Sequence, residues 1–362
     1  MSSVLRSGIA KTPEKFTELG IEKRVSPRED GFRTGGVKGT YEWWYFDAHA
    51  DDGTALVIVF YTKRMMSPGL PLSPYVTVDL DTPDGKHFEE RVEIAGIPFS
   101  SSTEGCDVTI GDSYIRSTPD GYEIYFKNDL IEAKATLKAN VSPWRPETGH
   151  IFFGDRDEKY FAWLPFVPEG DASFAITVGG KTTTHSGTGY HDHNWGNEMM
   201  TKLMHRWYWG RAKVGGYQVI ASYITGEKRY SYNKYPVFML AKDGKIIADD
   251  TDKLTYSEED AFTEKATGKP VHNKLVYDYR DGGVRYRVTF NRKGSIINFR
   301  MIEQLKGIVR FLATLIGFSG AYHRFTGDVT VEKFTDGVLE ESVSAPALWE
   351  LMYFGKVPKR GM

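Results

Sequence analysis

Six Asp-Gly pairs lie between strand-like runs of this 362-residue chain, at Asp52-Gly53, Asp84-Gly85, Asp120-Gly121, Asp243-Gly244, Asp281-Gly282 and Asp336-Gly337. The pair favours tight hairpins, because both central residues of such turns take positive φ. Strand-like runs lie between these turns. "ALVIVFY" (55–61) is short and apolar, and "YVTVDLD" (75–81) alternates with Val76, Val78 and Leu80 on one face. "FAITV" (174–178), "GYQVIASYI" (216–224) and "VRYRVTF" (284–290) alternate in the same way. There is no GxGxxG after a strand and no phosphate loop. The pattern therefore predicts an antiparallel meander and not βαβ units.

The turns fall three in each half, and each half opens with a Trp-rich strand, "YEWWYF" (41–46) and "HRWYWGR" (205–211). Trp43 and Trp207 stand 164 residues apart, about one domain length. We expect two similar β domains in tandem, with duplication or chance as the origin of the likeness. The expected division is an extended N-terminal arm over 1–39, one domain over 40–198 and a second over 199–362. One segment departs from the pattern. "QLKGIVRFLATLIGFSGAYHRF" (304–325) places Ile308, Leu312, Leu315 and Ile316 at helical spacing. A short helix is expected there, as a lid over a barrel mouth or a plug in one barrel end.

Charge and composition exclude several roles. The 46 basic and 48 acidic residues leave a formal charge of -2, with no long basic tract, so nucleic acid is not the expected partner. Cys106 is the lone cysteine, so no intrachain disulfide forms. The opening "MSSVLRSGIAKTPEKF" has no apolar secretory core, and no run of about 18 apolar residues could span a membrane. A cytoplasmic location is expected. Aromatic residues are plentiful at 14%, with eight Trp, 21 Tyr and 21 Phe, as suits strands and pockets for large apolar ligands.

The stretch "GTGYHDHNWG" (187–196) is the chief candidate for chemistry. On a strand, His191, His193 and Trp195 share one face, and Asp192 and Asn194 share the other. A bulge at Gly187, Gly189 or Gly196 would invert that parity. Two His at this spacing can bind a metal. However, His185 and His205 are not at a diagnostic distance and Cys106 is far off in sequence, so no metal is expected. The plainer alternative is a packed wall of neutral rings at a domain junction.

"YEWWYFDAH", "DGTALVIVFY", "GTGYHDHNWG" and "RWYWGR" together resemble the carotenoid 1,2-hydratase family, which includes AttH-type lipocalin-like proteins and lipocalin-like Diels-Alderases. The resemblance covers nearly the whole chain from residue 40. It implies an all-β protein of two tandem lipocalin-like antiparallel barrels, an apolar pocket at or near their junction, and no cofactor.

Hydration of an unactivated alkene needs a carboxylic acid whose pKa is raised in an apolar pocket. The resemblance implies an Asp on the strand after His193-Asn194-Trp195, yet no Asp occurs from Gly196 to Lys242. Cyclisation asks for less: the substrate folded into one reactive shape, and one or two donors to a conjugated carbonyl. The expected function is therefore a cofactor-free, Diels-Alderase-like cyclase or isomerase of a hydrophobic polyunsaturated natural product, of polyketide or isoprenoid type. The alternatives are an alkene hydratase and a non-catalytic lipid or pigment carrier. The candidate catalytic residues are His193, Tyr223 and Glu42, and the candidate substrate-binding residues are Trp44, Trp195, Trp207, Trp209 and His191. For each Trp the plainer reading is core packing, and for Glu42 it is a buried pair with Arg206 or Arg211. His193 is expected to donate to a substrate oxygen, so that His193→Ala slows turnover and spares folding.

Overall fold

The computed structural model describes residues 4–304 and 318–355. The chain divides into two compact units, Ile9–Met199 and Met200–Met362 with Met1–Gly8. Among the described residues no helix is long and apolar enough to cross a membrane.

A short strand β1 (Ser7–Ile9) comes first. The N-terminal unit then holds helix α1 (Pro13–Leu19) and a 3-10 turn (Pro27–Asp30). Its strands are β2 (Tyr41–Ala50), β3 (Ala55–Tyr61), β4 (Tyr75–Asp81), β5 (His87–Val92), β6 (Phe99–Ser101), β7 (Asp107–Ile110), β8 (Ser113–Thr118), β9 (Gly121–Lys127), β10 (Ile131–Ala139), β11 (His150–Phe153), β12 (Lys159–Val178) and β13 (Lys181–Gly196). The sheet runs β5-β4-β3-β2-β13-β12-β10-β9-β8-β7-β6. It curls around a core that includes Trp44, Phe46, Leu56, Ile58, Val76, Val78 and Phe126.

The second unit opens with α2 (Met200–Leu203), then β14 (Met204–Val214), β15 (Tyr217–Gly226), β16 (Lys234–Lys242), β17 (Lys245–Ala248), β18 (Leu254–Thr263), β19 (Pro270–Asp281), β20 (Val284–Arg300), β21 (Ala321–Thr335) and β22 (Val338–Tyr353). Its order, β17-β16-β15-β14-β22-β21-β20-β19-β18, repeats the logic of the first sheet. In each unit the Trp-rich opening strand lies between its own hairpin partner and the last strand of the unit. That shared topology supports duplication over chance.

These six Asp-Gly pairs join consecutive strands, whereas a seventh, Asp30-Gly31, ends the 3-10 turn. At Asp243-Gly244 and Asp336-Gly337 both residues have positive φ, 50° and 77°, then 49° and 82°, the geometry that two-residue hairpins demand.

One expectation needs correction. Residues 1–39 are not simply an extended arm. Thr12 caps α1, with Pro13 in the first turn and Gly20 ending the helix at φ 64°. Ser26-Pro27-Arg28-Glu29 then forms the turn, with Glu29 Oε1 accepting the Ser26 N–H at 2.9 Å. Glu29 and Asp30 end up buried. At the ends of the segment 304–325, Gln304 closes a 3-10 turn and Ala321–Phe325 begin strand β21, while the residues that carry the expected helix, Ile308, Leu312, Leu315 and Ile316, are not among those described. Residues 305–317 lie outside the described residues.

Candidate functional site

Three clusters bear on chemistry, two in the N-terminal unit and one in the C-terminal unit. The first is built on β13. Its pairing with β2 is unbroken from Gly187 to Gly196, with His193 opposite Trp44 and His191 opposite Phe46. Parity therefore holds, and His191, His193 and Glu42 turn towards the interior beside Trp44. The glycines permit close approach: a Cβ on Gly196 would meet Tyr41 Oη at 2.5 Å.

The interior set is closed. His193 Nε2 lies 2.8 Å from Glu42 Oε1, and its Nδ1 faces the Glu29 carbonyl at 3.2 Å. Its ring stacks on Trp44 at 4.6 Å and packs against Trp195 at 4.7 Å. Glu42 accepts the backbone N–H groups of Arg33 and Thr34 as well, at 2.7 and 2.8 Å. Its partners are thus not Arg206 or Arg211 as expected; Arg206 pairs with Glu258 at 2.7 Å.

His191 Nδ1 faces the Tyr45 carbonyl at 2.8 Å, and Nε2 lies 3.1 Å from Asp30 Oδ2. The Tyr122 hydroxyl donates to the same oxygen at 2.5 Å, and the Trp44 indole donates to the Asp30 carbonyl at 3.0 Å. Burial works against a charged His191 ring, but the Asp30 carboxylate outweighs it and holds the ring above its ordinary value.

This geometry corrects the expected role of His193. The side chain is 0% exposed and both ring nitrogens are engaged within the protein. His191 and Trp44 are likewise fully enclosed. Trp195 packs against Ala162 and Leu164. These residues hold the barrel end together.

The structure also supplies what the spacing lacked for a metal. Asp30, Cys106 and His191 bring one ligand atom each within 4.8 Å of one another, all buried. Burial and the nearby Asp30 carboxylate keep the Cys106 thiol well above its ordinary value, which opposes the thiolate a metal would need. Asp30 is also already shared by Tyr122 and His191, so the donor set fits a hydrogen-bonded knot better than a metal centre.

The second cluster lies on the opposite face of β13. Asp192 Oδ2 accepts from Tyr190 Oη at 2.7 Å and Trp163 Nε1 at 2.8 Å, and Oδ1 accepts from Asn194 Nδ2 at 2.6 Å. Burial nevertheless pushes this carboxyl up to about 6, against those donors. A carboxyl raised in the fold favours the protonated protein. Stability is therefore expected to fall as pH rises from about 3.8 towards 6, at a cost on the order of 3 kcal/mol. Asp192→Asn should flatten the thermal-unfolding midpoint across that window; an unchanged slope would place the titration elsewhere.

The third cluster occupies the interior of the C-terminal unit. Tyr223 stands directly opposite Tyr208 across β14 and β15. It stacks on Tyr256 at 3.7 Å and 19°. Tyr256 Oη donates to Glu258 Oε1 at 3.2 Å, and Arg206 holds the other carboxylate oxygen. His272 Nδ1 sits 3.3 Å from Tyr208 Oη and is held below its ordinary value by burial. Tyr223 is half-buried, and its hydroxyl makes no hydrogen bond among the described residues. Burial, with Glu258 nearby, keeps that phenol protonated. Trp207 and Trp209 alternate with Tyr208, so they face away from this cluster; Trp207 packs edge-on against Phe354 at 5.0 Å.

Sequence reasoning missed Asp30, Tyr122, Asp192, Arg206 and Glu258 as members of these clusters. The Ser-x-x-Glu box at 26–29 was the available signal for a buried turn ending at Asp30. Nothing local announced the others.

Two curled antiparallel sheets, each closing its last strand beside its first, define a tandem lipocalin-like protein. The chain is 26% identical over 298 residues to the quinolone epoxide rearrangement protein penF of Penicillium thymicola, covering 74% of this chain and 79% of that one. The solved structure of CghA superposes with a TM-score of 0.62 at 14% identity, over 93% of this chain and 97% of the other. A putative AttH from Nitrosomonas europaea gives 0.58 at 16% identity, over 92% and 98%. The Diels-Alderase-like pattern matches residues 123–304, half of the chain. The chain belongs to that family and is a cyclase- or isomerase-type enzyme, in agreement with the resemblance carried by Glu42–Phe46 and Gly189–Gly196.

Proposed function

We propose that the protein cyclises or rearranges a hydrophobic, polyunsaturated natural-product intermediate without a cofactor, and that Tyr223 is its hydrogen-bond donor. The observation that carries this reading is the Tyr223 hydroxyl, protonated, half-buried and without a partner among the described residues. It stands on a stack of aromatic faces beside the Arg206–Glu258 pair. Such faces hold a conjugated chain in one folded shape, which lowers the entropic part of the barrier. The phenol then stabilises negative charge growing on a substrate oxygen, in a conjugated carbonyl or, by analogy with the epoxide named for penF, in an opening epoxide. A lone thiol fits a reducing compartment, so the cytoplasm is the proposed location.

One observation favours a second reading. Asp192, raised to about 6, is a carboxylic acid of the kind alkene hydration requires. Turnover of Tyr223→Phe, with the product mass recorded, tests both. A loss of rate with product isomeric to substrate supports cyclisation. A product heavier by one water that depends on Asp192 supports hydration. Tight binding with no rate above background would leave a carrier.

A further inference from the structure

Two loops at one end of the N-terminal sheet leave apolar side chains in water. They are residues 33–40, which lead into β2, and residues 62–74, between β3 and β4. Val37, Met66, Leu70 and Leu72 are exposed on them. Ile94, just past β5, is exposed at the same end, since Glu93 beside it pairs with Arg64 at 2.8 Å. These are five of the eleven large hydrophobic residues exposed among the described residues. Soluble surfaces scatter such residues singly, so their concentration at one end marks a contact surface.

The loops are held in place by their backbones. The Lys63 side chain is buried, and its ammonium donates to the carbonyls of Gly36, Val37 and Leu70 at 3.1, 3.0 and 3.2 Å. One cation thus ties both loops together and leaves their apolar side chains outside. The Gly39 N–H adds a bond to the Pro68 carbonyl at 2.8 Å. Leu72 seats against Gly36, where a Cβ would lie 2.9 Å from its Cδ1. Pro68, Pro71 and Pro74 stiffen the second loop. An apolar tip preorganised in this way loses little entropy when something covers it.

Charge selects the partner. Residues 33–40 and 62–75 carry Arg33, Lys38, Lys63 and Arg64 and no Asp or Glu, in a chain whose net charge is -2. Lys38 is exposed and has no ion-pair partner among the described residues. A second copy meeting this surface face to face would set these cations against their own kind. Apolar side chains among cations instead match a bilayer interface, with acyl chains below and anionic headgroups above. We propose that this end of the N-terminal unit docks on anionic lipid membranes, with Val37, Met66, Leu70 and Leu72 entering the boundary between headgroups and acyl chains and Lys38 among the lipid phosphates. The proposal goes beyond the catalytic reading and does not depend on it.

The test is flotation of the full-length protein with vesicles of phosphatidylcholine alone or with about 30% phosphatidylglycerol. Partition onto the anionic vesicles is expected to be at least about tenfold stronger, and to weaken in about 0.5 M salt. Leu70→Ser combined with Leu72→Ser should lower it about tenfold or more, and Lys38→Glu about fivefold. Leu70 and Lys38 are exposed, so Leu70→Ser and Lys38→Glu fold even where the double variant does not. Insertion is read separately. Cys106 is buried, so a polarity-sensitive thiol dye labels an introduced cysteine. The dye on Val37→Cys should shift to the blue on anionic vesicles, and on Leu130→Cys it should not. Leu130 is exposed at the opposite end of the same sheet: its neighbour Ile131 pairs with Val178 and that with Lys181, at the far end of β13 from Gly196, which pairs with Tyr41. No binding to anionic vesicles, binding unchanged by Leu70→Ser and Lys38→Glu, or equal dye shifts at both positions would overturn the proposal. So would a dimer in sedimentation velocity that Leu70→Ser dissolves, since a second copy would then cover the patch. No substrate is added, so this outcome is separable from the turnover of Tyr223→Phe.

Discussion

Asp30→Ala should destabilise the N-terminal unit by about 3–5 kcal/mol, the largest stability effect expected of any single change considered. The carboxylate accepts from Tyr122 Oη and faces His191 Nε2, both inside the barrel. Truncation leaves two buried donors without an acceptor, and the charge that holds His191 protonated disappears. Urea unfolding followed by tryptophan fluorescence would show the loss as a lowered midpoint. Asp30→Asn keeps one carbonyl acceptor and should lose less. The pH dependence adds an independent check. Because His191 is raised in the fold, its contribution is fully present below the unfolded value of 6.5 and is lost as pH rises through the folded one. Wild type should show that slope and Asp30→Ala should not. His193→Ala belongs to the same class, since it strips a partner from buried Glu42; it should cost stability, contrary to what the sequence suggested. A variant of Asp30 as stable as wild type would mean that the knot is not what anchors residues 26–30.

The sheet was legible because its determinants are local. The Asp-Gly pairs between strand-like runs mark hairpins, two of them with positive φ at both residues, and alternation fixes which side of each strand is apolar. The same parity placed His191, His193 and Trp195 on one face correctly. Parity cannot say what the face meets. Asp30 reaches His191 across 161 positions of sequence, and Cys106 joins them from a third element. Their meeting is a product of the curl of the sheet, so the apparent absence of a third polar partner was an artefact of reading along the chain. The same limit hid a buried carboxyl with a raised pKa. An Asp was sought on the strands after the motif, while Asp192 sits inside it, raised by burial against the hydrogen bonds from Trp163 and Tyr190. Tyr223 was legible as a strand residue, and its free hydroxyl became visible only once Tyr208, Tyr256 and Glu258 were in place around it.

The reacting site is proposed to lie beside Tyr223, with the His-x-His strand serving the packing of its own unit. The most direct measurement is the rate and isomer ratio of product formed from a linear polyene bearing a conjugated carbonyl, with wild type, with Tyr223→Phe and without protein. Removal of one preorganised donor should slow wild-type turnover by about 10- to 1000-fold, with the unfolding midpoint unchanged because the lost hydroxyl has no partner in the described fold. The isomer ratio should move towards that of the uncatalysed reaction only partly, since the Tyr256 stack still shapes the substrate. A Tyr223→Phe enzyme with wild-type rate and wild-type isomer ratio would contradict the account and return the chemistry to another part of the protein.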